Sequence, residues 1–219
     1  MSKKLIGIVG WSTGENSFGV TKPYMNFFST YGKVVVLGPT DDIVENLDLL
    51  VLPGGADISS HFYNQIPFMW NTNPDLFKEY FFVNNLPKYI ENNIPIFGIC
   101  LGMQQICVHF KANMIQNIGN HSTSLESRSD LVHELHIMQN YVNMFPYKKS
   151  GYKVNSLHHQ AVNFNKFPTC LDIVAISKKD NFLEIIKHKT KNIWGVQYHP
   201  EEIYDDISDF IVKMLLNNN

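Results

Sequence analysis

Cys100 lies in Pro95-Ile96-Phe97-Gly98-Ile99-Cys100-Leu101-Gly102-Met103-Gln104, an apolar run that stops at a thiol with a glycine two residues away on each side. The run reads as a buried strand, and Met103 to Phe110 as the helix that follows it. A nucleophile between two glycines at a strand-to-helix turn forms an elbow that exposes its reactive atom. The turn is too tight for a Cβ on either side, and the helix N-terminus favours a thiolate. Most free cysteines are small core residues instead. The flanking glycines and the setting favour the nucleophile here.

A thiol nucleophile needs a base that takes its proton and later protonates a leaving amine. That base needs a third group to fix its tautomer and orientation. Trp194-Gly195-Val196-Gln197-Tyr198-His199-Pro200-Glu201-Glu202 supplies both, as a strand ending in a histidine, a proline and two carboxylates. Extended backbone with a rigid Pro200 would send His199 and Glu201 the same way, at i and i+2; Glu202 is the substitute for Glu201. Leu52-Pro53-Gly54-Gly55-Ala56-Asp57 places tandem glycines after another strand. They read as a turn, or as backbone N–H groups open to a developing oxyanion. The N–H of Leu101, next to the nucleophile, would be the second donor.

These segments resemble the class I (triad) glutamine amidotransferase superfamily, marked by Pro-Gly-Gly, Gly-x-Cys-x-Gly-x-Gln and His-Pro-Glu in that order. Two further stretches resemble its C26-type γ-glutamyl hydrolase branch, related to γ-glutamyl-GABA hydrolase. One runs from Leu52 to Tyr63 and the other is Val154-Asn155-Ser156-Leu157-His158-His159-Gln160-Ala161-Val162. The resemblance extends from about Leu5 to the last helix. It implies a three-layer, flavodoxin-like α/β fold and a hydrolase acting on a small-molecule γ-glutamyl amide. Cys100 would form a thioester, His199 would move the proton, Glu201 would orient the imidazole, and Gly55 and Leu101 would form the oxyanion hole. Gly54, Gln104 and the loop with Ser156, His158, His159 and Gln160 would contact the glutamyl group. Leu101 departs from the hydrolase branch, which often carries arginine there, and is typical of the amidotransferases.

Two readings of activity follow. One is a stand-alone hydrolase releasing L-glutamate and an amine, favoured by the Asn-Ser-Leu-His-His-Gln stretch and by the lack of a fused synthetase. The other is a glutaminase subunit feeding ammonia to a separate synthetase. A non-catalytic relative is disfavoured by the intact Cys100, His199 and Glu201. Candidates for the amine half are γ-glutamyl-GABA or a polyamine derivative, a folate polyglutamate, or a glutamine whose amide nitrogen carries a phosphoryl or nucleotide group.

The elements that must position these groups are legible as alternating runs, the pattern of a mostly parallel sheet with helical crossovers. Leu5 to Val9, Lys33 to Leu37, Leu49 to Leu52 and Ile94 to Ile99 read as buried strands. Thr21 to Tyr31 reads as a helix. Asn73-Pro74 opens another, with Asn as N-cap, and Pro87 should split it. A smaller antiparallel region is expected from Glu134 to Met138, Leu171 to Ser177, Leu183 to Lys187 and Asn192 to Gln197, before a helix at Ile207 to Leu216. No linker, repeat or low-complexity segment divides residues 1–219, so one domain is expected.

Composition bounds the rest. With 44% hydrophobic residues the 219-residue chain can build a core, and a net charge of -2 without a basic block excludes a nucleic-acid polymer or a membrane surface as partner. No run approaches the ~18 apolar residues of a membrane span, and Leu5 to Val9 is too short for a signal-peptide core. Three cysteines without framework spacing suit reduced thiols in a cytoplasm. A homodimer stays open. No cofactor is expected. No metal is expected either, because His158 and His159 lack further ligands at credible spacing. His61, His109, His121, His133, His136 and His188 read as surface or core histidines, and Cys107 as core. Arg128 is the sole arginine among 18 basic residues. It lies in the Asn117 to Asn140 segment, which carries no readable motif, and is either a solvated side chain or the one fork-shaped donor for an anionic leaving group.

Overall fold

The computed structural model describes residues 3–14, 17–39, 42–69, 73–119, 121, 127–146 and 151–217. Part of the Ser/Thr-rich stretch before Arg128, residues 122–126, lies outside them. The strands are β1 (Leu5–Val9), β2 (Trp11–Gly14), β3 (Ser17–Gly19), β4 (Lys33–Leu37), β5 (Leu49–Leu52), β6 (Ile96–Ile99), β7 (Met114–Ile115), β8 (His133–Ile137), β9 (Lys153–Val154), β10 (Ala161–Val162), β11 (Leu171–Ser177), β12 (Leu183–His188) and β13 (Ile193–Val196). The helices are α1 (Lys22–Ser29), α2 (Leu76–Asn84), α3 (Leu86–Glu91), α4 (Leu101–His109), α5 (Pro200–Ile203) and α6 (Asp206–Asn217).

Nine strands form one sheet in the order β4-β1-β5-β6-β13-β12-β11-β8-β9. The first five are parallel, and in chain order they run 2-1-3-4-5, the doubly wound flavodoxin-like arrangement. The remaining four are antiparallel, matching the expected smaller region. The central strands are apolar at every position because helices cover both faces. In β5 the side chains alternate: Leu50 and Leu52 pack with Phe81, Leu86 and Ile106 of α2, α3 and α4, whereas Leu49 and Val51 pack with Phe28, Ile211 and Leu215 of α1 and α6. Period-two alternation in the strand thus produces the three layers.

Several boundaries differ from expectation for local reasons. The N-cap of α2 is Asp75, not Asn73, because the Asp75 carboxylate accepts from the N–H groups of both Phe77 (3.0 Å) and Lys78 (3.1 Å). Pro87 does split the helical segment, and α3 starts at Leu86. Between Gly10 and Lys33 the chain adds the antiparallel pair β2–β3, which the sequence reading treats only as a compressed link. None of the helices among the described residues is long and apolar enough to cross a membrane.

Candidate active site

Three strand ends meet at one edge of the parallel half. β5 delivers Gly54 and Gly55, β6 delivers Cys100, and β13 leads to His199, all at carboxyl ends, where doubly wound sheets form their binding crevice. Cys100 is the N-cap of α4, with φ 51° and ψ -106°, a left-handed conformation that a residue with a Cβ rarely adopts. Its N–H donates to the carbonyl of Val196 (2.8 Å), and its own carbonyl accepts from Gln104 N–H (3.1 Å). A Cβ on Gly102 would come within 2.1 Å of the Leu52 carbonyl oxygen, and one on Gly98 within 2.7 Å of the Gly102 backbone. Backbone crowding on both sides is the reason for the two glycines.

His199 is the N-cap of α5, with Pro200 at the first helical position and Glu201 in the first turn. This corrects the expectation of extended backbone: the helical turn, not strand alternation, swings Glu201 back to its partner. His199 Nδ1 and Glu201 Oε1 are 2.7 Å apart, both buried. Burial alone would lower the pKa of His199. The Cys100 thiol group and the hydrogen bonds with Cys100 and Glu201 outweigh it, so the imidazole is raised to about 10. An imidazolium beside the sulfur and the positive end of α4 both favour negative charge on Cys100. Glu202 turns away and pairs with Arg128, Oε1 to Nε 2.6 Å.

Gly54 and Gly55 lie against the same centre. A Cβ on Gly54 would stand 2.6 Å from His199 Cε1 and 3.4 Å from Cys100 Cβ, and one on Gly55 would stand 3.0 Å from Leu101 Cδ2. The N–H of Gly54 already donates to the Tyr24 hydroxyl (2.9 Å). Gly55 and Leu101 therefore adjoin each other beside the nucleophile, as the resemblance implies for their N–H groups.

Two cavities share Gly55, Ala56 and Leu157. The smaller, about 190 Å³, is lined by Cys100, Gln104, Asp57 and Leu157 to Gln160. The larger, about 610 Å³, is lined by His199, Trp11, Tyr24, Lys78, Arg128 and Glu202 among others. Gln104 Nε2 donates to Gln160 O (3.3 Å) and to Gln197 Oε1 (3.2 Å), so the helix that carries the nucleophile is tied to the loop opposite. His159 and His158 part company: His159 Nε2 meets the Asp57 carboxylate (2.8 Å), and His158 turns inward. Ser156 is buried beside them, and Arg128 is 60% exposed at the rim of the larger cavity.

Two residues escaped the sequence reading. Asn155 grips the main chain of His199 from both sides. Lys78, only 4% exposed, donates to the Gly54 carbonyl and sits 4.2 Å from the Trp11 ring centroid. Burial lowers its pKa to about 8, against the opposing charges of Asp75, Cys100 and Glu201. A signal existed: Lys78 shares a helical face with Phe81, Phe82 and Asn85, and a lysine on an apolar face is rarely idle.

The peptidase C26 family profile matches residues 13–201. A glutamine amidotransferase-like protein of Lactococcus lactis subsp. lactis, YvdE, is 28% identical over 218 residues, covering 90% of each chain. The glutamine-hydrolysing subunit of GMP synthase from Methanococcus maripaludis is 30% identical over 124 residues, 57% of this chain and 59% of that one. In fold, the crystal structure of a GMP synthase subunit from Thermoplasma acidophilum is similar at a TM-score of 0.64 and 24% identity, covering 99% of this chain and 94% of that one.

Proposed function

Because the chain belongs to the peptidase C26 family, within the class I glutamine amidotransferase superfamily, we propose that it is a cysteine-dependent hydrolase of a γ-glutamyl amide. The observation that carries this is the buried Glu201–His199 pair beside a nucleophile elbow, opening on a small pocket walled by Leu157 to Gln160. Cys100 Sγ attacks the γ-carbonyl carbon while the Gly55 and Leu101 N–H groups hold the oxyanion. The C–N bond breaks, and His199 gives its proton to the departing nitrogen, leaving a thioester on Cys100. Water, deprotonated by His199, then cleaves the thioester and releases L-glutamate. Glu201 keeps the imidazole in the required tautomer throughout.

The glutamyl half occupies the small pocket, and the amine half extends into the larger cavity. Lys78 and Arg128 make that cavity cationic and Trp11 gives it an aromatic face, which suits an amide nitrogen bearing a phosphoryl or nucleotide group. Three free thiols suit a reducing cytoplasm. The test is glutamate release from a panel of γ-glutamyl amides, neutral and phosphorylated on the amine side. Turnover of an anionic conjugate by the purified chain, lost in Cys100→Ala, is expected. Arg128→Ala should raise KM for that conjugate and leave neutral amides untouched.

A second reading, the glutaminase subunit of a two-chain amidotransferase, rests on the similarity to the Methanococcus maripaludis GMP synthase subunit. It requires a chain nearly inert alone on every conjugate and awakened on glutamine by a synthetase.

A further inference from the structure

Behind the pocket wall, four buried side chains from separate segments turn toward one another: His121, His133 at the start of β8, His158 after β9, and Glu184 in β12. One ligand-capable atom each from His121, His133 and Glu184 lies within 4.8 Å of the other two. His133 Nε2 is 3.0 Å and His121 Nε2 3.4 Å from Glu184 Oε1. Yet neither nitrogen, nor either Glu184 oxygen, makes a hydrogen bond among the described residues. A fully buried carboxylate with no hydrogen bond is costly by several kcal/mol unless a cation answers it.

The outer contacts fix where lone pairs lie. His121 Nδ1 is 2.5 Å from Asp180 Oδ2, which holds a proton at Nδ1 and leaves the Nε2 lone pair facing Glu184. His158 Nδ1 is 2.9 Å from the Gln160 carbonyl. A carbonyl only accepts, so Nδ1 carries the hydrogen and the buried Nε2 presents a lone pair with no partner among the described residues. Its ring centroid is 4.8 Å from that of His121. A carboxylate behind one imidazole and a carbonyl behind another is the outer arrangement of metal-ligating histidines. Neighbouring ligands of a tetrahedral ion at ~2.0–2.1 Å would stand about 3.3 Å apart, and the two nitrogen–oxygen distances straddle that value.

We propose that this cluster is a structural site for a divalent transition ion, zinc by its donor set, held by His121 Nε2, His133 Nε2 and Glu184 Oε1, with His158 Nε2 as the fourth ligand. This replaces the expectation of no metal: the ligands that His158 lacks in sequence are brought to it by β8, β12 and the chain at His121. Four protein ligands leave no open position, so the ion does no chemistry. It anchors the loop from Leu157 to Gln160, and through the Gln197 N–H on the Glu184 carbonyl (2.8 Å) it steadies the partner of Gln104.

The test uses the full chain, tag-free, with Cys100→Ala beside it so that the nucleophile cannot be the ligand. Elemental analysis should find one zinc per chain in both proteins. Removing it with a chelator should lower Tm, and cobalt(II) added to the stripped protein should give the visible bands of a tetrahedral site. His133→Ala should abolish this binding. Asp180→Asn, which leaves every ligand in place, should weaken it by about 10- to 100-fold. A wild-type protein that takes up neither zinc nor cobalt, or one whose binding survives His133→Ala and Asp180→Asn undiminished, overturns the proposal. Zinc content and cobalt spectra do not depend on turnover, so this site and the proposed reaction can fail separately.

Discussion

Asn155 holds His199 by its main chain at both ends: its Oδ1 accepts from the His199 N–H (2.8 Å), and its Nδ2 donates to the His199 carbonyl (3.2 Å). The same Nδ2 donates to the carbonyl of Arg128 (2.8 Å), so one amide joins the base to the rim of the larger cavity. Asn155→Ala would leave the buried His199 N–H without its acceptor, at about 1–3 kcal/mol. It would also free the imidazole to drift, and a shift on the order of 1 Å costs up to about 10²-fold in rate. Asn155→Asp keeps the acceptor and should recover part of both losses. A positioning role requires kcat to fall with His199 still titrating; a drop in Tm with kcat intact would leave Asn155 as scaffold only.

Much of this centre was legible because its parts are local. The elbow at Cys100, the tandem glycines and the ends of β1, β4 and β5 follow from short-range patterns: apolar runs, glycines that backbone crowding demands, and turns at strand ends. What was not legible depends on chain segments meeting. Asn155 and His199, or His121 and Glu184, share no sequence window, and β2–β3 has too few apolar residues to show a period. The backbone at Glu201 was misjudged for a physical reason that was on view: proline suits a first helical turn as well as a rigid extended link.

Glu201→Gln tests the charge that supports His199. With the carboxylate gone, the imidazole loses one of the influences that raise it to about 10. The alkaline limb of the kcat/KM profile should move to lower pH, with a loss at neutral pH on the order of 10³-fold. Stability obeys the same sign. A histidine raised above its ordinary 6.5 adds stability that is whole below that pH and fades as pH climbs through about 10. The Tm advantage of wild type over His199→Gln should therefore shrink between those two values. A constant advantage across the range would mean His199 is not held protonated.

The elbow glycines give a steric test with an internal control. In Gly102→Ala the new methyl meets the Leu52 carbonyl oxygen at 2.1 Å, and backbone on a central strand cannot yield as a side-chain tip can. Overpacking of this kind costs about 1–3 kcal/mol, and the displacement of α4 from β5 should lower kcat as well. Gly19→Ala, with nothing within 4 Å of the added Cβ, should leave both unchanged. Equal tolerance of the two by urea denaturation would remove crowding as the reason for Gly102.

Lys78→Met separates the charge of Lys78 from its volume. Methionine fills a similar space beside Trp11 but cannot donate to the Gly54 carbonyl, so the Gly54–Gly55 peptide loses an anchor next to the oxyanion position. A kcat lower by about 10-fold or more is expected, since a displaced oxyanion donor weakens contacts made only in the transition state. The stability effect has the opposite direction. A lysine held at about 8 in place of 10.5 reports on the order of 3 kcal/mol of cost for burying its charge. That cost is present in full below pH 8, where folded and unfolded chains are both protonated. It is relieved as pH rises towards 10.5, because the folded protein releases the proton first. Lys78→Met should thus be the more stable protein at pH 7, and wild type should gain on it between pH 8 and 10.5. Chemical denaturation of both across that window checks the sign, and a gap that does not change with pH would show that Lys78 keeps an ordinary proton affinity.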